Sequence, residues 1–283
     1  MYVAVGATTH ALSKPWVMTD LIETTTMTPD DRTEQSLGAL SRLSVKQAGV
    51  RVHNEPAFVL ATWPWKESSV IAECLTRHHG RVVVAVRGVK RPGSQFRGLI
   101  NPFSPLVVGY CGAQEVKKLT HARWMGGLPT LSGDALLSAF YLNELIVKLT
   151  AREDPNPALF DLYVDTLASI AQTPAAARVQ RVLREFELEL LRLCGWGVTL
   201  VEGERSGRYR VLEGRLEPVV DLGLVHEDEC VVSYETARAI VERDFSKPTL
   251  LKEARDVLRA IIRYHVGDKE LLTRRTATQW QQF

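Results

Sequence analysis

Between Phe58 and Trp124 the chain offers short alternating runs and never a helical period, and this limits what it can fold into. AFVLATW, SSVIAECLTR, RVVVAVRG, LINPFSPLVVGY and EVKKLTHARW each read as a strand, with Val or Ile recurring at every second position in several. His79-Gly80 reads as a hairpin turn, and Arg91-Pro92-Gly93-Ser94 as a loop. Five short strands without a helix between them predict a small closed barrel of the OB type. After Gly126-Gly127 the period changes. Leu136, Leu137, Phe140, Tyr141, Leu145 and Leu149 recur at helical steps, as do Leu159, Leu162, Tyr163, Leu167 and Ile170. Asn156-Pro157 supplies a capping side chain and a first-turn proline for that second helix. A third stripe runs through Val179, Val182, Leu183, Phe186, Leu190 and Leu193, and Gly195 is placed to end it. RYRVLEG and RLEPVVDLG predict a hairpin around Gly214, within a β insertion at 207–234. Leu251, Ala254, Leu258, Ile261 and Ile262 predict a last helix ending near Gly267.

The fold class expected is therefore α+β: an OB-fold barrel over 52–127, then an α-helical domain over 128–283 carrying the small β insertion. Residues 1–51 read as a weakly structured extension with no function assigned to it, because Thr24 to Asp31 is polar and SLGALSRL is short for a helix. Met18 and Met27 stand as alternative initiators.

Charge separates the two domains more sharply than composition does. The extension balances five basic against five acidic side chains. Residues 52–127 hold ten basic and four acidic, a net of +6, while residues 128–283 hold twenty and twenty-four. From Arg77 to Arg123 the only acid is Glu115, beside Arg81, Arg87, Lys90, Arg91, Arg97, Lys117 and Lys118. Such clustering costs self-repulsion unless it is solvated or meets an anion. Two readings stand: a phosphate-binding groove that releases counterions as it binds, or a solvated barrel surface. Trp63, Trp65, Phe96, Phe103, Tyr110 and Trp124 are interleaved with these charges. Most rings in a small barrel are core; Phe96, between Gln95 and Arg97 in the loop, is the one placed for exposure to a stacking base.

Signals for catalysis are poor. No phosphate loop, H-E-x-x-H, G-x-S-x-G or EF-hand pattern is present. Cys74, Cys111, Cys194 and Cys230 are far apart with no C-x-x-C, so no metal is called from them, nor from His78, His79, His121 or His226. No cofactor is expected. Glu185, Glu187 and Glu189 alternate, which spreads them around a helix instead of converging them. No apolar run approaches the ~18 residues of a membrane span, and the first residues lack a basic signal-peptide start, so a cytoplasmic protein is expected.

An ordered series of short motifs completes the reading. It starts with Ala57-Phe58-Val59-Leu60, Trp65-Lys66-Glu67-Ser68-Ser69 and His79-Gly80-Arg81. It continues with Arg87-Gly88-Val89-Lys90-Arg91 and Gly98-Leu99-Ile100-Asn101-Pro102-Phe103-Ser104-Pro105-Leu106. In the second domain come Tyr141-Leu142-Asn143-Glu144-Leu145, Leu159-Phe160-Asp161 and the stretch Leu183 to Leu191. Cys194-Gly195-Trp196-Gly197 and Tyr264-His265-Val266-Gly267-Asp268-Lys269-Glu270-Leu271 close it. The series resembles the bacterial RecO family of DNA repair proteins over roughly residues 53–275. That resemblance implies an OB-fold joined to a helical domain and a recombination mediator of the RecF pathway. It implies binding of single- and double-stranded DNA, annealing, and interaction with RecR and the tail of single-stranded-DNA-binding protein (SSB). With RecR, RecA would be loaded on SSB-coated strands, in a protein that associates with the nucleoid when bound to DNA. Arg184 stands at the family position that looks like an SSB-tail contact; the alternative is a helix-surface arginine pairing with a nearby Glu. Where some members carry a four-cysteine zinc module, this chain has RYRVLEGRLEPVV and only Cys230, so no zinc is expected. Two other classes remain open: an OB-fold protein adaptor without direct DNA binding, and, more distantly, a metal-dependent hydrolase.

Overall fold

The computed structural model describes residues 49–127, 130–172, 176–203, 207–221, 229–267 and 271–273; the N-terminal extension, apart from its last residues, and His226 lie outside them. Five strands form a closed barrel: β1 (Val50–Trp65), β2 (Ser69–Thr76), β3 (Gly80–Val86), β4 (Pro105–Gly112) and β5 (Val116–Trp124), in the order β1-β2-β3-β5-β4. β3 and β5 pair in parallel and β4 closes onto β1, so the OB-type barrel expected is the one present. β1 is 16 residues long, far longer than the seven-residue run read from sequence. Its first half pairs with β4 and its second with β2, and register shifts at Val52/Glu55 and Val59/Ala61 let one strand turn that corner.

Val59, Ala72, Cys74, Val82, Val84, Val86, Leu106, Val108, Tyr110 and Leu119 fill the barrel. Phe96 is buried among them, so the ring read as exposed is a plug instead. The reason is geometric. A five-strand barrel is open at its ends, and the 87–104 connection, folded into successive turns, closes one end with Val89, Phe96 and Ile100.

The second domain has α1 (Gly133–Leu149), α2 (Pro157–Ala171), α3 (Ala176–Leu193), α4 (Tyr234–Glu242) and α5 (Pro248–Val266). Asn156 caps α2 by accepting the Leu159 N–H at 3.0 Å, with Pro157 in the first turn. Gly195, at φ +82°, ends α3. β7 (Arg208–Leu212) and β8 (Arg215–Pro218) form the hairpin read around Gly214, whose turn holds Glu213 and Gly214 at positive φ. The hairpin is part of a four-stranded sheet, ordered β6-β8-β7-β9, with β6 (Thr199–Leu200) and β9 (Val231–Ser233) on its edges. Phe140 departs from its predicted stripe: it is 40% exposed and lies edge-on against Phe103 at 4.9 Å.

Barrel and helices share one apolar core, because Phe58, Leu60 and Leu75 face out of the barrel into the cluster formed by Leu142, Tyr163, Leu167 and Phe186. Around it runs an ionic seam. Glu73 takes both Arg81 and Arg152, the latter through two bonds at 3.1 and 3.2 Å. Arg152 also reaches Glu115, Lys117 pairs with Glu153, and Arg77 pairs with Asp161. The Glu153 N–H donates to the Arg81 carbonyl at 2.8 Å. Gly80 sits in this joint at φ +67°, where an added Cβ would lie 2.1 Å from the Asp154 carbonyl oxygen. Gly80→Ala is therefore expected to destabilise by more than ~1 kcal/mol. A melt within a degree of wild type would show that the joint gives way without cost.

A second tether holds the far end of the chain. Glu144 on α1 accepts the backbone N–H groups of Leu272 and Thr273 and the Thr273 hydroxyl, at 2.6–2.9 Å. Burial pushes this carboxyl up, but the Thr273 and Leu272 bonds and Lys148 outweigh it and hold it below its ordinary 4.5. Its folded value is depressed, so its contribution is complete above the ordinary value and is lost as pH falls through the lowered one. The Thr273 amide is expected to be protected from hydrogen exchange at pH 6 and to lose that protection on acidification below the ordinary value. Glu144→Gln should abolish this pH dependence; protection that persists unchanged in the variant would disprove the tether.

Candidate nucleic-acid interface

Alternation along β1, β2 and β3 sets the site. The residues that do not enter the barrel face outward, and directly paired residues lie on the same side of a sheet. Trp63 pairs with Ile71, Ile71 with Ala85, and Ala85 with Lys118 on β5. One row therefore crosses four strands of the outer wall. Ile71, Val83 and Ala85 form a cluster of their own, with Trp63 and Trp65 packed half-buried against it. The helical domain covers the other half of this face, over Phe58, Leu60 and Leu75.

Cations surround the uncovered half. Trp65 pairs with Ser69 at the β1–β2 turn, where Lys66 adopts φ +56°. That backbone conformation folds Lys66 back so that its Nζ stands 4.7 Å from the centroid of the Trp65 ring. The Lys90 N–H donates to the Ser68 carbonyl at 3.0 Å, and the Gly88 N–H to Ser69 Oγ at 3.2 Å. These two bonds pin the β3–β4 connection, which carries Arg87, Lys90 and Arg91, to the end of the β1–β2 turn that carries Lys66. Arg87, Lys90, Arg91 and Lys118 are exposed, as is Arg97 further along the loop. Among the described residues none of these five has a carboxylate partner. Three of the barrel's four acids are occupied elsewhere, Glu73 and Glu115 in the ionic seam and buried Glu55 by His78 and His79; the fourth, Glu67, is exposed in the β1–β2 turn next to Lys66.

Two of the predicted groove residues are corrections. Arg81 is 7% exposed; burial, with Arg152 nearby, pulls its guanidinium below its ordinary value, and Glu73 pushes back. It donates to Thr150 Oγ1 at 3.0 Å and to the Thr150 carbonyl at 2.6 Å. Lys117 is 6% exposed and committed to Glu153 and the Gln114 carbonyl. Both belong to the joint, not to a solvent-facing groove. Arg184 is 4% exposed in the helical domain and pairs with Glu187, which also accepts the Tyr141 hydroxyl at 2.6 Å, while its Nε and Nη1 atoms are buried without a hydrogen-bond partner. Conversely, sequence reasoning passed over Lys66, and it took Trp63 and Trp65 as core. The signal available was the W-P-W-K spacing: residues two apart in a strand share a face.

Burial, with the Glu73 charge, pushes the Cys74 thiol up to about 12, so it stays protonated inside the barrel. Among the described residues no group of three His, Cys, Asp or Glu side chains converges as metal ligands, and no helix is long and apolar enough to cross a membrane.

An OB barrel with a cationic outer wall, fused to a helical domain with a small second sheet, defines the class of protein. Within it, the chain belongs to the RecO family. The family described as Recombination protein O N terminal matches residues 50–128, and that described as Recombination protein O C terminal matches residues 131–214. Three similar proteins, each called DNA repair protein RecO, come from Aromatoleum aromaticum, Thiobacillus denitrificans and Burkholderia orbicola. The first is 39% identical, the match covering 82% of this chain and 98% of the relative. The second is 38% identical over 83% and 94%, and the third 37% over 82% and 84%.

Proposed function

We propose that this protein is a non-enzymatic recombination mediator that grips nucleic-acid backbones on the barrel wall. Family membership implies DNA repair and recombination. The observation that carries the finer reading is the cluster of Arg87, Lys90 and Arg91 around the pinned loop, with Lys118 across the wall, all without carboxylate partners among the described residues. Arg97, exposed on the same loop, extends it. Each phosphate neutralised there releases counterions and supplies affinity without reading sequence. Screening phosphate repulsion between two strands on one cationic surface is enough to speed annealing, and no bond is made or broken. Single- and double-stranded DNA both present the required backbone. The family resemblance supports RecR as partner, recognition of the SSB tail, and RecA loading on SSB-coated strands with a functional link to RecF. It also supports a cytoplasmic, nucleoid-associated location. Arg184, at the position that resembles the family's SSB-tail contact, is the residue assigned to that tail on this reading.

The test is a titration of labelled single strand and duplex at several salt concentrations. Binding whose log affinity falls linearly with log salt, joined by faster annealing of complementary strands, is the expected result. Absence of salt-dependent binding to either form would leave a protein adaptor as the correct description.

A further inference from the structure

We infer that Trp63 and Trp65 are base-stacking residues that make this wall selective for unpaired nucleotides, and that Lys66 guards the Trp65 ring until a phosphate draws it away. The inference rests on the cationic wall proposed above and adds to it what that wall lacks, a means of telling one strand from two. Phosphate contacts are the same in kind on single strands and duplexes, so cations alone discriminate poorly. Aromatic faces are different: a base can stack on a side chain only after leaving its own helix.

The placement of the two rings argues for that use. Trp63 and Trp65 stand two residues apart on β1, on the face of the sheet opposite to the barrel core, and rest on Ile71, Val83 and Ala85. Neither is needed to fill the barrel, whose interior is complete without them. Cations stand on two sides of the rings: Lys66 at the β1–β2 turn, to which the segment of Arg87, Lys90 and Arg91 is pinned through Ser68 and Ser69, and Lys118, aligned with Ala85 across the wall. A strand crossing this wall therefore finds cations for its phosphates where it finds rings for its bases. Charge complementarity commits the surface to a polyanion, and the paired rings commit it to one with free base faces.

Lys66 adds a switching contact. Its ammonium sits over the Trp65 ring at 4.7 Å, held there by a left-handed backbone conformation that a lysine adopts at a cost. Over a half-buried ring with its outer face open to solvent such a cation is weakly held, whereas a phosphate forms a charge-assisted hydrogen bond with it. An arriving strand exchanges one for the other. The ammonium moves to the phosphate, and the ring face it leaves is available to the base.

The experiment compares three probes of equal length: a thymine strand, an abasic strand with the same phosphates, and a blunt duplex. The variants are Trp63→Leu/Trp65→Leu, which keep apolar cover over Ile71, Val83 and Ala85, and the milder Trp63→Phe/Trp65→Phe. The Leu pair is expected to lose roughly tenfold or more in affinity for the thymine strand, with affinity for the abasic strand and the duplex unchanged. The salt slope should stay that of wild type, and the Phe pair should fall between. Equal loss on all three probes would assign the rings to supporting the barrel and overturn the inference, as would no loss on the thymine strand. Should the Leu pair melt early, the Phe pair decides by the same comparison. Failure of the underlying reading looks different: wild type would then bind none of the three probes in a salt-dependent way.

Discussion

Reversing Lys90 and Arg91 together to Glu is expected to lower single-strand affinity by about tenfold or more at low salt and to flatten its salt dependence. The slope of log affinity against log salt should fall by about 1.4, because each phosphate contact with a single strand contributes about 0.7. Both side chains are exposed, without a carboxylate partner among the described residues, and fixed in place by the Lys90–Ser68 bond. Their reversal therefore removes two contacts and adds two repulsive charges without opening the fold. The melting temperature should stay within a few degrees of wild type, since exposed substitutions of this kind cost little. The same double variant should anneal complementary strands more slowly, and raising the salt should narrow its gap from wild type. An unchanged slope would move the nucleic-acid contact off this loop.

The opposite behaviour is expected at the joint. Glu73→Gln removes the carboxylate between Arg81 and Arg152 and leaves the Arg81 guanidinium, 7% exposed, without a counter-charge. Breaking a buried pair in this way costs about 3–5 kcal/mol. For a chain of this size that corresponds to a fall of roughly 10 °C in melting temperature. Replacing Glu73 and Arg81 together by leucine should cost markedly less than the single change, because no buried charge is then left unpaired. A single variant as stable as wild type would show that the seam contributes nothing to holding barrel and helices together. Where the variant stays folded, its salt slope for a single strand should equal that of wild type, since Arg81 belongs to the seam and not to the wall.

How far the sequence could be read depended on how local each determinant was. The barrel was legible because Val and Ile alternate in RVVVAV and SPLVVGY, and because Gly and Pro mark the turns between them. The first half of β1 was not: VRVHNEPA is polar and contains a proline, and its pairing partner β4 lies some fifty residues away. β6 and β9, with two and three residues, are too short to leave a pattern. α4 ends on Arg243 in the left-handed conformation, φ 58°, where a glycine would have announced the stop. The same limit explains the site. Arg87, Lys90, Arg91 and Arg97 stand in a segment of turns where side chains reach water readily. Arg81 and Lys117 lie in strands, and their burial depends on the turn at Thr150–Glu153, contributed by a different domain. The pairing of Arg184 with Glu187, one α3 turn away, was legible as the i,i+3 alternative, but the burial of both was not. Phe96 and the tryptophan pair exchanged their expected roles for one reason. A barrel needs plugs at its ends as well as filling along its strands, and composition does not say which ring serves where.

Hydrogen exchange across the whole chain, with and without a saturating single strand at low salt, tests the central claim most directly. The account predicts slowed exchange confined to the β1–β2 turn, the outer wall of β2 and β3, and the 87–98 loop, and reversed by added salt. Slowing concentrated in the helical domain, with those barrel segments unaltered, would contradict it.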